Sequence, residues 1–351
     1  MRLVFVNWAY DTHGSAQDLY HYARVAREMG HEIALYGPPA RGSAFNYSLE
    51  VGAADAVVFI FEFTTYIDRG DGRLDYARLV GKVPRRRRVV IDCDGAYNDA
   101  IRVGGDYNHP DAESARRWVE ICDSLADKVC QPTLHPLRPN VRPFLFHGYE
   151  PAWERPPEFV GKEFGMVYVG NNWFRWRAME RVLRAVEPIR ERVGRIGIVG
   201  EGWDALPERY HWQQAGAAQH TDPGYLRELG VELWSPVRFD RVIDWMGRGV
   251  FSPVLLRPLF DWLGLVTCRT FETPAAGALP LFCQEVGFVE EVYGAAAVEL
   301  VLPRERPGDK ILDLLRRPGH YAGVVRGIRN RLAERHSYRD RLRELIEVVE
   351  S

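Results

Sequence analysis

The chain has no apolar run near the ~20 residues needed to cross a bilayer, and its 351 residues include only five cysteines. Cys93, Cys122, Cys130, Cys268 and Cys283 have no zinc-ligand spacing, and their odd number does not suggest a disulfide framework. They read as small buried hydrophobes in a reducing cytoplasm. An excess of one charge is missing too. Lys and Arg number 46 against 48 Asp and Glu, a net charge of −2, which argues against a general polyanion binder. The run Arg85–Arg88 then reads as a solvated loop ahead of a strand, and no nucleic-acid partner is expected. Met1–Val6 passes straight into a strand pattern without the apolar core and cleavage site of a secretory signal. A cytoplasmic location with no transmembrane segment is therefore expected. No repeat with a period of roughly 20–50 residues is visible.

The chain does have ample core material and a regular rhythm. Hydrophobic residues make up 46% and charged residues 27%, a soluble globular composition whose length suits two domains. Short apolar runs predict strands at Leu3–Asn7, His31–Tyr36, Ala56–Ile60, Arg88–Ile91, Lys128–Cys130 and Pro143–Phe146. Helical periodicity falls between them at Ser15–Met29, Leu74–Val80 and Asp111–Ser124. Residues 147–162, HGYEPAWERPPEFVGK, have three prolines and no period, so 150–162 reads as a linker after a first domain at 1–149. A second series follows, with strands at Gly165–Val169, Arg195–Val199, Val231–Leu233 and Val250–Leu255. Helices are predicted between them at Ala178–Arg192 and Phe239–Gly247. Strands alternating with helices imply parallel βαβ units in doubly wound sheets. Ligands of such sheets lie at the carboxyl ends of the strands.

The second series leads into Arg269-Thr-Phe-Glu-Thr-Pro-Ala-Ala-Gly-Ala-Leu-Pro-Leu-Phe-Cys283. Small and polar residues start a helix, Pro274 is placed in its first turn or so, Gly277 ends it, and Leu279–Phe282 form a buried strand. The N-terminus of that helix carries Arg269, Thr270 and Glu272. It offers free N–H groups, a positive dipole and a fixed cation to a phosphate. Glu272, one turn in, can accept hydrogen bonds from vicinal hydroxyls such as those of a ribose. Upstream, Gly200-x-Gly202 after a strand gives a tight turn and a close backbone approach to a nucleotide.

Phe271-Glu272-x-x-Ala275-x-Gly277-x-x-Pro280 resembles a signature of GT-B glycosyltransferases. The form beginning Arg269-Thr270-Phe271-Glu272 is similar to the spore maturation protein CgeB family. The resemblance implies two Rossmann-like doubly wound domains facing across a cleft, with acceptor at 1–149 and nucleotide-sugar donor at 163–325. It also implies that the C-terminal residues 326–351 cross back onto the first domain. Glu272 would bind the donor ribose; many relatives carry another acid eight positions earlier, where this chain has Gly264. Gly200 and Gly202 match an element of the donor half, and Arg238 falls in a loop that would line the nucleobase pocket. Gly170-Asn171-Asn172 with Arg175 and Arg177 resembles the opening of the donor domain, where a basic residue neutralises the departing diphosphate. Sugar transfer leaves negative charge on the β-phosphate, so a fixed cation there lowers the barrier. The implied substrates are a nucleoside-diphosphate sugar and a small-molecule or glycan hydroxyl, with no cofactor and no required metal.

In the first domain, Asp11-Thr-His13-Gly14 follows the first strand, and Asp11 or His13 could take the acceptor proton or merely cap the next helix. Asp92-Cys-Asp94 follows another strand, and Asp94 is a further candidate catalytic residue. Asp92 and Asp94 also match the D-x-D pattern of metal-dependent GT-A transferases, an alternative to the GT-B reading. A catalytically inactive nucleotide-binding relative is the third reading.

Overall fold

The computed structural model describes residues 1–7, 14–37, 51–62, 82–206, 208 and 213–351. Asp11, His13 and the expected helix Leu74–Val80 lie outside the described residues. Most apolar runs become strands buried on both faces, as parallel sheets covered by helices require, while the edge strands Val141–Pro143 and Val231–Trp234 are partly exposed. The first sheet uses β1 (Arg2–Val6), β2 (Glu32–Tyr36), β3 (Ala56–Phe61), β4 (Arg88–Asp92), β7 (Lys128–Gln131) and β8 (Val141–Pro143). Its order is β2-β1-β3-β4-β7-β8, parallel throughout. The last strand starts two residues before its expected position. Phe144–Phe146 leave it, and the Tyr22 hydroxyl donates to the Phe146 carbonyl at 2.8 Å. A short antiparallel hairpin, β5 (Arg102–Val103) and β6 (Asp106–Tyr107), projects from this domain.

The second sheet contains β9 (Phe164–Val169), β10 (Ile196–Val199), β11 (Val231–Trp234), β12 (Gly249–Val254) and β13 (Leu279–Phe282). Its order is β11-β10-β9-β12-β13, again all parallel. In each sheet the strand order reverses beside the first strand, at β1/β3 and at β9/β12. These reversals leave crevices at the carboxyl ends, where α/β sheets bind ligands.

The helices that position the site are α1 (Gly14–Glu28), α2 (Ala112–Leu125), α3 (Trp176–Val186), α4 (Cys268–Ala275), α5 (Pro318–Arg335) and α6 (Tyr338–Glu350). Asp111 caps α2 by accepting from the Ser114 N–H at 2.7 Å. The basic run is not a uniformly solvated loop. Arg85–Arg87 form an exposed turn, whereas Arg88 opens β4 and is buried, donating to the carbonyls of Val83 and Leu125 at 2.7 and 3.1 Å. The expected helix Ala178–Arg192 is interrupted at Pro188, which turns residues Glu187–Ile189 into a 3-10 segment.

Helix α5 runs unbroken through position 326 and packs on α4 and β13, while α6 packs on α1. Between them the chain meets its own inter-domain segment. The Tyr149 N–H donates to the His336 carbonyl at 2.7 Å, and Ser337 caps α6 through the Asp340 N–H at 3.2 Å. The domains also touch away from this crossing. Thr133 donates to the Leu263 carbonyl at 2.9 Å, and the Val266 N–H donates to the Pro132 carbonyl at 2.7 Å. Leu259, Leu263 and Leu265 form a small buried cluster there, with Ile101 of the first domain packed against it.

Candidate active site

At the switch point of the second sheet, β9 and β10 end side by side. A Cβ on Gly200 would stand 2.2 Å from the Gly170 carbonyl oxygen, so only glycine lets the two turns approach so closely. The Gly170 N–H donates to the Val199 carbonyl at 2.8 Å, and Asn171 Oδ1 accepts from the Glu201 N–H at 3.1 Å. Opposite them stands the N-terminus of α4. Gly170, Asn171, Gly200, Cys268, Arg269 and Glu272 line one crevice, closed on its far side by Val237 and Phe239.

Helix α4 is short and strongly constrained. Thr270 accepts the Thr267 N–H at 3.2 Å as part of a capping box. Its hydroxyl therefore serves the helix start, and Thr270 is not among the crevice-lining residues. Pro274 sits in the last turn, not the first, and Gly277 (φ 72°) then ends the helix. Buried Arg329 of α5 donates to the Pro274 and Ala275 carbonyls at 2.8 and 3.3 Å. A cation at that end satisfies orphan carbonyls and complements the dipole, leaving the N-terminal end turned to the crevice.

Arg269 donates through Nε to the Val169 carbonyl at 2.9 Å and forms an ion pair with Glu272. Burial opposes charge on this guanidinium, but Glu272, Cys268 and Tyr168 together outweigh burial, so the pKa of Arg269 is raised. Glu272 is only 1% exposed, more enclosed than a residue facing an open cleft. The arrangement joins anion-attracting N–H groups, a fixed cation and a carboxylate acceptor within one helical turn.

Arg175 follows in the loop after β9. It donates to the carbonyls of Asn171 and Trp173 at 3.2 and 3.4 Å, and no ion pair engages it among the described residues. Tyr168, not among the residues expected from the sequence, is buried within electrostatic reach of both Arg175 and Arg269. Its ring packs edge-on against Trp203 at 5.7 Å, and a Cβ on Gly170 would meet its hydroxyl at 2.7 Å. Burial raises its pKa, while Arg175 and Arg269 pull the other way. The available signal was alternation along β9, which points Tyr168 away from the face of Val167 and Val169.

Besides Thr270, four expected donor contacts are absent from the crevice lining, Arg175 in the loop after β9 and three more. Arg177 is exposed on the first turn of α3. The Gly202 carbonyl accepts from Asn172 Nδ2 at 2.7 Å, a contact within the turn. Arg238 is largely exposed and paired with Asp240 at 3.4 Å, while its neighbours Val237 and Phe239 line the wall. A surface arginine is better solvated in water than over an apolar wall, which accounts for its outward course.

In the first domain, Asp92 is fully buried. Its carboxylate accepts from the N–H groups of Ala96 and Tyr97 at 2.9 and 2.8 Å and from Gln131 at 2.8 Å. Burial raises its pKa, and those hydrogen bonds oppose the rise. Its lone pairs are spent on the turn after β4, so the D-x-D pattern does not present two metal ligands. Among the described residues, no group of three or more His, Cys, Asp and Glu could hold a metal. Asp94 is half-buried at the same strand end. Deeper in the first domain, His147 Nδ1 lies 2.7 Å from the Asp18 carboxylate, which also accepts the Tyr338 hydroxyl at 2.6 Å.

Two parallel doubly wound domains, with a phosphate-suited crevice at the switch point of the second, define the GT-B fold. Solved structures of that fold match along the whole chain. The DNA-modifying enzyme β-glucosyltransferase, solved with and without uridine diphosphoglucose, has a TM-score of 0.61 at 11% identity, with 100% of both chains covered. An α-glucosyltransferase in complex with UDP and a 13-mer DNA has a TM-score of 0.65 at 12% identity, covering 100% of this chain and 99% of the other. T4 phage BGT with UDP and Mn2+ has a TM-score of 0.59 at 11% identity, both chains covered in full. No protein-family model and no curated protein matches the chain.

The two-domain GT-B architecture expected from the sequence is borne out, one alternative is set aside and one expectation is overturned. A GT-A architecture built on Asp92 and Asp94 is replaced by the two-sheet fold. The exclusion of nucleic acid does not stand either, because a protein of this fold is solved on DNA. Net charge sums the whole surface, whereas a polyanion responds to local patches of potential. No helix among the described residues is long and apolar enough to cross a membrane.

Proposed function

We propose that this protein is a glycosyltransferase that moves a sugar from a nucleoside-diphosphate sugar to an acceptor hydroxyl. The observation that carries this reading is the Arg269–Glu272 pair at the N-terminus of α4, set against the glycine-closed ends of β9 and β10. Glu272 accepts the ribose hydroxyls, the turns at Gly170 and Gly200 admit the nucleotide backbone closely, and Arg269 with Arg175 meets the diphosphate. Tyr168 adds a hydroxyl donor within electrostatic reach of those cations. As the sugar departs, fixed charges already in place offset the charge growing on the β-phosphate. This supports transfer without a required metal. The neighbours solved with UDP-glucose or UDP favour a uridine nucleotide as donor.

Proton removal from the acceptor falls to the first domain. Asp94 at the end of β4, and Asp11 or His13 in the loop after β1, are the candidate bases. The Arg269-Thr270-Phe271-Glu272 motif supports the finer likeness to the CgeB family. A second acceptor class beside small molecules and glycans is favoured by one observation: an α-glucosyltransferase of this fold is solved with DNA containing an HMU base.

The test is turnover of UDP-, GDP-, ADP-, TDP- and CDP-sugars with glycan, small-molecule and hydroxylated DNA acceptors, with and without EDTA. Release of a nucleoside diphosphate that persists in EDTA is expected. The absence of both binding and turnover across the whole panel would rule out the transferase reading, and activity lost in EDTA and restored by manganese would rule out metal independence.

A further inference from the structure

We propose that Asp106, on the hairpin of the first domain, is a positioning residue that holds Arg175 of the second domain at the donor diphosphate. The proposal rests on the reading that Arg175 meets the diphosphate. The Asp106 side chain is fully buried, yet its carboxylate is occupied mainly by the other domain. It accepts from Arg257 Nε at 2.8 Å, from a second guanidinium nitrogen of Arg257, and from the Leu259 N–H at 3.0 Å. A buried carboxylate stripped of such donors is costly, so this contact fixes where the hairpin docks.

The chain of contacts continues to the site. The Arg257 guanidinium lies over the Phe260 and Phe174 rings, 4.8 and 5.3 Å from their centroids. Tyr107, next to Asp106, meets Phe174 edge-on at 6.2 Å. Phe174 therefore has one ring partner from the hairpin and one from the segment the hairpin clamps, besides the Trp173 ring at 5.6 Å and the Ala218 carbonyl, which accepts its N–H. It also has a φ of 54°. That left-handed conformation is rare for a bulky residue and persists only where the surroundings hold it. Arg175 is the next residue, and backbone carbonyls of its own loop, at Asn171 and Trp173, are its hydrogen-bond partners. Closure of the two domains through Asp106 thus adds to the second-domain hydrogen bonds of Phe174 and Arg175 in setting the backbone that aims the guanidinium. A released Phe174 would return to a right-handed conformation and swing Arg175 away.

Isothermal titration with UDP and UMP separates this from general support of the fold, because UMP lacks the β-phosphate. Arg175→Ala should weaken UDP by about tenfold, a loss of one charge-assisted contact, and leave UMP unchanged. Asp106→Asn and the milder Tyr107→Ala should each weaken UDP by roughly fivefold to tenfold, spare UMP, and add nothing further in the Arg175→Ala background. Retained UMP binding shows that the variants are folded, and Tyr107→Ala decides the matter if Asp106→Asn does not fold. Equal losses of UDP and UMP, additive effects with Arg175→Ala, or unchanged UDP binding in the hairpin variants would overturn the proposal while leaving the diphosphate reading intact. Unchanged UDP binding in Arg175→Ala, or none by the unmodified chain, would remove that reading and the proposal together.

Discussion

The His147 imidazole donates from Nδ1 to the Asp18 carboxylate at 2.7 Å, in a buried contact that ties the inter-domain segment to α1. Tyr338 of α6 donates to the other Asp18 oxygen at 2.6 Å. One carboxylate thus joins the first helix, the domain crossing and the last helix.

This contact predicts a pH dependence. Burial works against an imidazolium, but Asp18, with smaller contributions from Glu62 and Glu272, outweighs it and raises the His147 pKa above its ordinary value. The stabilisation is complete below the unfolded value of about 6.5 and is lost as pH rises through the raised folded value. Asp18→Asn should therefore cost most at acid pH, about 3–5 kcal/mol for breaking a buried pair, and less as pH climbs. His336 titrates in the opposite sense, pushed down to about 4 by burial and nearby arginines. The difference between wild type and variant in urea unfolding from acid to alkaline pH cancels that effect. A difference that stays flat or grows with pH contradicts the prediction.

Glu272 is paired with Arg269, and the proposed function adds a donor ribose as its second partner. Glu272→Gln should reduce donor affinity by roughly tenfold to a hundredfold, since hydrogen bonds to charged groups contribute ~1.5–3 kcal/mol each. It should also lower the melting temperature, because Arg269 loses a carboxylate that is only 1% exposed. Nucleotide titration and thermal unfolding of the one variant measure both. A lowered melting temperature with unchanged affinity would assign Glu272 to structure alone.

Asp92 and Asp94 should separate cleanly. Asp92→Ala strands the buried N–H groups of Ala96 and Tyr97 and should cost about 2–5 kcal/mol of stability, with near-normal turnover per folded molecule. Asp94→Asn should leave stability nearly unchanged and lower turnover by about 10²–10⁴-fold if it takes the acceptor proton. Denaturant unfolding paired with sugar-nucleotide turnover checks each, and the reverse pattern would exchange their roles.

The sequence by itself determined most of the strands, the alternation that makes both sheets parallel, and the placing of Arg269 and Glu272 on one helix start. Each depends on neighbours within a few positions: apolar runs, capping residues, or one helical turn that brings i and i+3 together. The two-glycine signal at Gly200 and Gly202 was legible too, although only Gly200 lines the crevice. Tertiary structure decided the rest. Asp92 looked like a metal ligand until the turn after β4 and Gln131 used its oxygens. Arg238 looked like a pocket residue until its loop turned it to solvent. Arg329 at the end of α4, Asp106 beneath Arg257, and Asp18 with a partner 320 residues away have no local signature. Such contacts depend on how the domains pack, because burial withholds water from a polar group and only a partner brought there by the fold can replace it.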